Sequence, residues 1–412
     1  MEAVERFLRY VTINTRSDEE STSTPSSDNV FALAELLKSE LSELGASDVA
    51  LDRSGGVVYA KIPATEGYES KKKIGFVAHM DTSPDFSGEN VSPQIHENYD
   101  GGDVVLGESG RVLRVSDFPH LADLRGRTLI TTDGTTLLGA DDKAGVAAIM
   151  TMVERVLAEK FPHGQISIAF TPDEEVGRGT ESFDLEKFDA DLAYTVDGDD
   201  EGEIVYENFN AASADIVASG FNVHPGSAKD TMVNASLVLV ELNSMLPSAD
   251  TPRNTEGYEG FYHLTSISGD VEHAESHYII RDHSKECFEA RKRTITHAVD
   301  ILNEKYGNGT LSLKLTDSYG NMRDKIEPYM EVVDRAKEAI RSIGLEPKSP
   351  PIRGGTDGAR LSALGLPCPN LGTGGHAFHG PYEHITVEGL NLAADVIVGI
   401  VKAFAEHGEN NG

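Results

Sequence analysis

The chain has 412 residues, 39% of them apolar, and carries 36 basic against 68 acidic side chains, a formal net charge of −32. That length predicts two domains with packed cores, and the charge disfavours nucleic acid and anionic membranes, whose phosphates would be repelled. Two cysteines in unlike contexts, Cys287 and Cys368, exclude a disulfide framework or a Cys-x-x-Cys zinc site and fit a reducing cytoplasm. The N-terminus lacks the apolar core of a signal peptide, and no run approaches the roughly 20 apolar residues of a membrane span.

In chain order, D-N-V-F-A-L-A-E-L-L-K-S-E-L-S-E-L (28–44) has apolar residues at helical spacing behind an Asp/Asn cap. Short β-type runs follow at 57–62 and 73–79. Residues 135–157 read as a loop opening into a long apolar-faced helix, and 165–171 and 190–197 as two further buried strands. Strands alternating with helices predict a doubly wound α/β domain with a mixed sheet. From about residue 208 the order becomes strand (216–220), helix (231–246), strands (261–268 and 277–281), helix (284–305) and strand (311–316). That β-α-β-β-α-β order predicts a ferredoxin-like α+β domain. The α/β style resumes with a helix at 328–344, so residues 208–318 are expected to be an insertion into a discontinuous domain of 1–207 and 319–412. The Ser/Thr-rich stretch 21–27 reads as a loop.

Ligands bind beyond the carboxyl ends of strands in open α/β sheets. Those ends carry His79 and Asp81, then Asp141 and Asp142 at a helix start, then Asp173, Glu174 and Glu175 in T-P-D-E-E-V-G, then Asp197. A glycine-bounded loop, G-G-H-A-F-H-G-P-Y-E-H-I, adds His376, His379, Glu383 and His384. Each has an ordinary reading alone: an Asp before a helix is commonly its cap, and an acidic turn is commonly solvated. Together, carboxylates at consecutive strand ends would repel unless a cation compensated them. Mixed imidazole and carboxylate donors suit zinc, cobalt or manganese. The donor count exceeds one tetrahedral site and fits two metals sharing a carboxylate, with an adjacent glutamate free to act as general base. The inserted region offers His224 before a Pro-Gly turn and Arg281 at a strand end, and Arg353 opens R-G-G-T-D-G-A. Such residues can polarise a carbonyl or clamp a carboxylate.

The motifs H-M-D-T-S-P-D, L-L-G-A-D-D-K-A-G-V-A, T-P-D-E-E-V-G-R-G, F-N-V-H-P-G-S-A-K, I-I-R-D and I-R-G-G-T-D-G-A-R-L-S resemble, in order and over essentially the whole chain, the di-zinc exopeptidase family that includes aminoacylases and carboxypeptidases. The resemblance implies a cytoplasmic aminopeptidase acting on short peptides, chiefly tripeptides, with two Zn2+ per subunit and Co2+ or Mn2+ as substitutes. Related activities on N-acyl amino acids or dipeptides, or a non-catalytic peptide-binding role, are the alternatives. His79, Asp141 and Asp197 would hold one metal, and Asp141, Glu175 and His379 the other. Glu174 would be the base and Asp81 the partner that orients His79. His224 would reach the neighbouring subunit of a homodimer to stabilise the oxyanion, Arg281 and Arg353 would grip the substrate carboxylate, and the inserted domain would serve as lid and dimerisation domain. The Asp141–Asp142 peptide is expected to be cis. His379 is preferred over His376 and His384 because the family ligand precedes glycine and stands four residues before a glutamate.

Overall fold

The apolar runs at 74–79 and 166–171 form strands buried along their whole length, as parallel strands covered on both faces must be. They belong to a seven-stranded sheet with the order Ser47–Leu51, Val58–Ile62, Ile166–Thr171, Ile74–His79, Leu192–Gly198, Asn370–Gly372 and Ile204–Val205. The central four strands are parallel, and the pairs nearest each edge are antiparallel. Register matters for function here. His79 lies opposite Thr171, so the turn that follows Thr171 starts level with the end of the neighbouring strand.

In this computed structural model, which describes residues 1–407, the chain divides into two compact units. The first comprises Met1–Tyr206, Asp324–Pro350 and the residues from Thr356 onward, and holds the seven-stranded sheet. It also holds a small antiparallel sheet of Gly375–His376, His384–Thr386, Leu129–Thr131 and Gln94–His96. These two- and three-residue strands are too short to show a period of two in sequence, yet they frame the loop that carries His379. Helix Ala140–Glu159 begins with Gly139 in the left-handed region (φ 81°) and has non-helical Asp141 and Asp142 inside its first turn. Gly145 allows that turn to press on the sheet, because a Cβ there would lie 1.9 Å from the Val196 carbonyl oxygen.

The second unit comprises Glu207–Arg323 and Pro351–Gly355. Its four antiparallel strands run in the order Phe261–Gly269, His273–Asp282, Asn210–Ser219 and Leu311–Tyr319. Helices Ala235–Met245 and Lys285–Tyr306 supply Leu239, Leu242, Ile295 and Val299 to a core shared with Ile216, Tyr278 and Ile280 of the sheet. Pro351–Gly355 groups with this unit, beyond the sequence-based boundary at 318. The Ile352 N–H donates to the Glu207 carbonyl, and Arg353 donates to Thr255 Oγ1 and to the carbonyls of Gly257 and Glu259. Among the described residues no helix is long and apolar enough to cross a membrane, and both cysteines are free thiols.

Candidate metal centre

Two groups of ligand-type side chains form in the first unit, and they share one residue. His79, Asp141 and Asp197 make one, and Asp141, Glu175 and His379 the other; within each, the ligand atoms lie within 4.8 Å of one another. His79 Nε2 is 2.9 Å from Asp141 Oδ1 and 3.5 Å from Asp197 Oδ1. His379 Nε2 is 3.2 Å from Asp141 Oδ2 and 3.0 Å from Glu175 Oε2. Asp141 thus turns one oxygen to each imidazole. The groups differ in access: the His79 side chain is 2% exposed and that of His379 42%.

The adjacent carboxylates at each motif divide their tasks. Asp142 accepts from the His79 N–H (3.2 Å) and caps its helix by accepting from the Gly145 N–H (3.1 Å), which leaves Asp141 for the imidazoles. The Asp141–Asp142 peptide is cis. In T-P-D-E-E, Asp173 is buried and accepts from Ser26 N (2.7 Å) and Ser26 Oγ (2.5 Å), so it ties the Ser/Thr-rich loop to this turn instead of sitting in solvent. Asp81, 1% exposed, accepts from the N–H groups of Glu174 (3.1 Å) and Glu175 (3.2 Å) and lies beside His79 Nδ1, with Oδ1 3.3 Å away. One buried carboxylate therefore fixes both glutamates, while the backbone carbonyl of the same residue lies 3.1 Å from His79 Nδ1.

The electrostatics are those of a cavity built around positive charge. Burial opposes a His79 imidazolium, but Asp197, Asp141 and Asp81 outweigh it and lift its pKa well above the usual value. Bonds to Asp141 and Glu175 push His379 up to about 11. Burial lifts Asp197 and Glu175 to about 7, each with a further push from Asp141. Burial also lifts Glu174 well above the carboxylate range, with Asp197 adding to it. These residues fit a metal pair: Glu175 Oε1 is buried without a hydrogen-bond partner, and both imidazoles face carboxylate oxygens that cations would satisfy.

The remaining histidines of the loop lie elsewhere. His384 Nδ1 donates to the Tyr382 carbonyl (2.7 Å), so its Nε2 accepts from His120 Nε2 at 2.8 Å. The His376 ring packs 4.2 Å from that of His120, with Nδ1 3.7 Å from Asp200. Neither joins a ligand group. In the second unit His224 is exposed and accepts from the Gly226 N–H. There Arg281 lies over Tyr319 and donates to the Ala212 and Ile280 carbonyls, while Arg353 lies over Phe209 and Phe261.

Two further buried carboxylates belong to the surroundings of the centre. Glu383, 1% exposed, accepts from the N–H groups of Leu138, Gly139 and Asp141. The sequence offers it as one of the loop's candidate donors, with no hint of these backbone partners. Asp357 accepts from Thr171 Oγ1 (2.8 Å), and burial lifts it to about 6. No local pattern in the sequence singles it out. Beside the His379 group, Asp85 lies with Oδ2 3.4 Å from His379 Nδ1. It also lines a cavity of about 750 Å3 together with Asp18, Glu19, Glu20, Glu89 and Arg16, whose guanidinium donates to the Pro84 carbonyl.

Comparison with known proteins places this chain among peptidases. The family model for peptidase family M20/M25/M40 matches residues 133–403. The chain is 53% identical over 406 residues to Peptidase T of Alkaliphilus oremlandii, covering 98% of this chain and 99% of that one. The fold matches the crystal structures of aminopeptidase PepT from Bacillus cereus and of a tripeptidase from Staphylococcus aureus. Each has a TM-score of 0.79 at 24% identity, with 98% of both chains covered.

Proposed function

This chain belongs to peptidase family M20/M25/M40, and from that premise we propose that it is a two-zinc aminopeptidase releasing the N-terminal residue of tripeptides. The observation that carries the proposal is Asp141, with one oxygen toward His79 and the other toward His379, the disposition of a carboxylate that bridges a metal pair. His79, Asp141 and Asp197 would hold one ion, and Asp141, Glu175 and His379 the other. Imidazole with carboxylate favours zinc, with Co2+ or Mn2+ as substitutes. When bound, such a pair supplies Lewis acidity to a peptide carbonyl and acidifies a water.

The chain's own residues do the rest. Glu174 belongs to neither ligand group and is held by its backbone to Asp81, so its carboxylate is free to take a proton from the attacking water and pass it to the leaving amine. We assign His224 to the oxyanion and Arg281 and Arg353 to the substrate carboxylate on the family resemblance. The homodimer with the inserted domain as its lid and interface, and the cytoplasmic location, belong to the same proposal.

Two observations support the substrate class. Structural relatives of this fold carry the names aminopeptidase and tripeptidase. The cavity beside His379 has a volume within the roughly 300–1,000 Å3 usual for ligand sites. Its lining is acidic, which accommodates a free α-ammonium. The test is Glu174→Ala. The variant should keep the wild-type metal content while turnover of a tripeptide falls about 100- to 10,000-fold. Wild-type turnover in that variant would overturn the base assignment.

A further inference from the structure

We propose that Glu383 is a positioning residue: it locks the bridging Asp141 to the loop that carries His379, and so sets the affinity of the Asp141, Glu175 and His379 group for its metal. The inference rests on the two-metal reading above and adds a residue outside both ligand groups. At the start of helix Ala140–Glu159, Leu138, Gly139 and Asp141 turn their N–H groups toward one point. Gly139 makes this possible with its left-handed backbone (φ 81°). Successive N–H groups at a helix start form a concavity that attracts an anion. Here the chain supplies the anion itself. Glu383 Oε2 accepts from Leu138 N (2.6 Å) and Gly139 N (2.8 Å), and Oε1 accepts from Asp141 N (3.1 Å).

The contacts close a ring. Glu383 holds the backbone of Asp141, the Asp141 carboxylate meets His379, and His379 leads back along four residues to Glu383. The His79 side of the centre is fastened separately, by Asp142 on the His79 N–H and by Asp81 beside the ring. Asp141 serves both groups, but loss of the Glu383 carboxylate falls most heavily on the His379 side, where the histidine is more exposed and lacks those further ties. Removing a group that orients a metal ligand typically costs about 10- to 100-fold in metal affinity or activity.

The experiment compares wild type with Glu383→Gln and Glu383→Ala, equilibrated in zinc buffers and assayed for bound metal and for tripeptide turnover. Wild type should hold two ions at a free zinc level where each variant holds one. The second ion should return at about 10- to 100-fold higher free zinc, with kcat recovering in step and the first ion much less affected. Variants that bind both ions like wild type would overturn the proposal. So would variants that lose both ions together, or a fold that added zinc does not restore, because Glu383 would then support the scaffold at large. A wild-type chain that takes up no metal pair would overturn the two-metal reading and this proposal with it, which separates the two failures.

Discussion

Asp81→Asn is the sharpest perturbation of the centre that leaves every ligand in place. The wild-type carboxylate accepts from Glu174 N at 3.1 Å and Glu175 N at 3.2 Å, one oxygen for each. Asparagine offers a single oxygen, so its amide N–H2 must face one of those N–H groups. One buried donor is then left unpaired, at about 1–3 kcal/mol, and the negative charge beside His79 Nδ1 is gone. His79 keeps the Asp81 backbone carbonyl at 3.1 Å, so its ring stays oriented and the damage concentrates on the turn that carries base and ligand. The expected result is a fall in kcat/KM of roughly 10- to 100-fold, with weaker binding of the ion held by Glu175 and a smaller effect on the ion held by His79. Tripeptide kinetics and competition with a chelating dye measure both. Wild-type kinetics with two wild-type affinities would refute the reasoning, as would a loss confined to the His79 ion.

Three further perturbations have defined outcomes. Gly145→Ala puts a methyl 1.9 Å from the Val196 carbonyl and 2.4 Å from Asp142 Oδ1. It should destabilise by about 1–3 kcal/mol or more, read as a lower thermal midpoint, and an unchanged midpoint would contradict that packing. Asp173→Ala removes both acceptors of Ser26, so limited proteolysis should cut the 21–27 loop faster than in wild type; equal rates would count against the tie. Burial pushes His384 down to about 3 and His376 to about 4, against roughly 6.5 in an unfolded chain. The unfolded state therefore binds more protons as pH falls. Stability from these neutral rings is complete above about pH 6.5 and is lost toward pH 3–4, on the order of 2 kcal/mol per ring by pH 5. The thermal midpoint of metal-free protein should drop between pH 7 and 5, and His384→Gln should flatten that drop; an identical acid limb in the variant would exclude the mechanism.

The parts legible in sequence are those with a period or a strand end. The apolar runs at 73–79 and 165–171 mark the central strands to within a residue, and the parallel register between them explains why His79 and the T-P-D-E-E turn emerge side by side. The inserted β-α-β-β-α-β unit is equally visible because its helices and strands are long. Residues 94–131 gave no such signal, since their strands are two or three residues long and are defined by pairing with distant segments, Leu129–Thr131 with His384–Thr386 and Gln94–His96 with Leu129–Thr131. Asp357 gave no signal either, and Glu383 stood out only as one candidate donor of its loop, not as the partner of Leu138, Gly139 and Asp141. Each acts through backbone or hydroxyl groups far away in the chain, and no local pattern announces such a partner. Asp173 looked like part of an acidic turn, and only its pairing with Ser26 showed why it is buried.

The central claim is tested most directly with Leu-Gly-Gly as substrate and the products identified by mass. The expected products are leucine and Gly-Gly, with loss of activity on chelation, recovery with zinc, and no cleavage of the N-acetylated tripeptide. Release of the C-terminal glycine, removal of the acetyl group, or turnover that survives complete metal removal would contradict it.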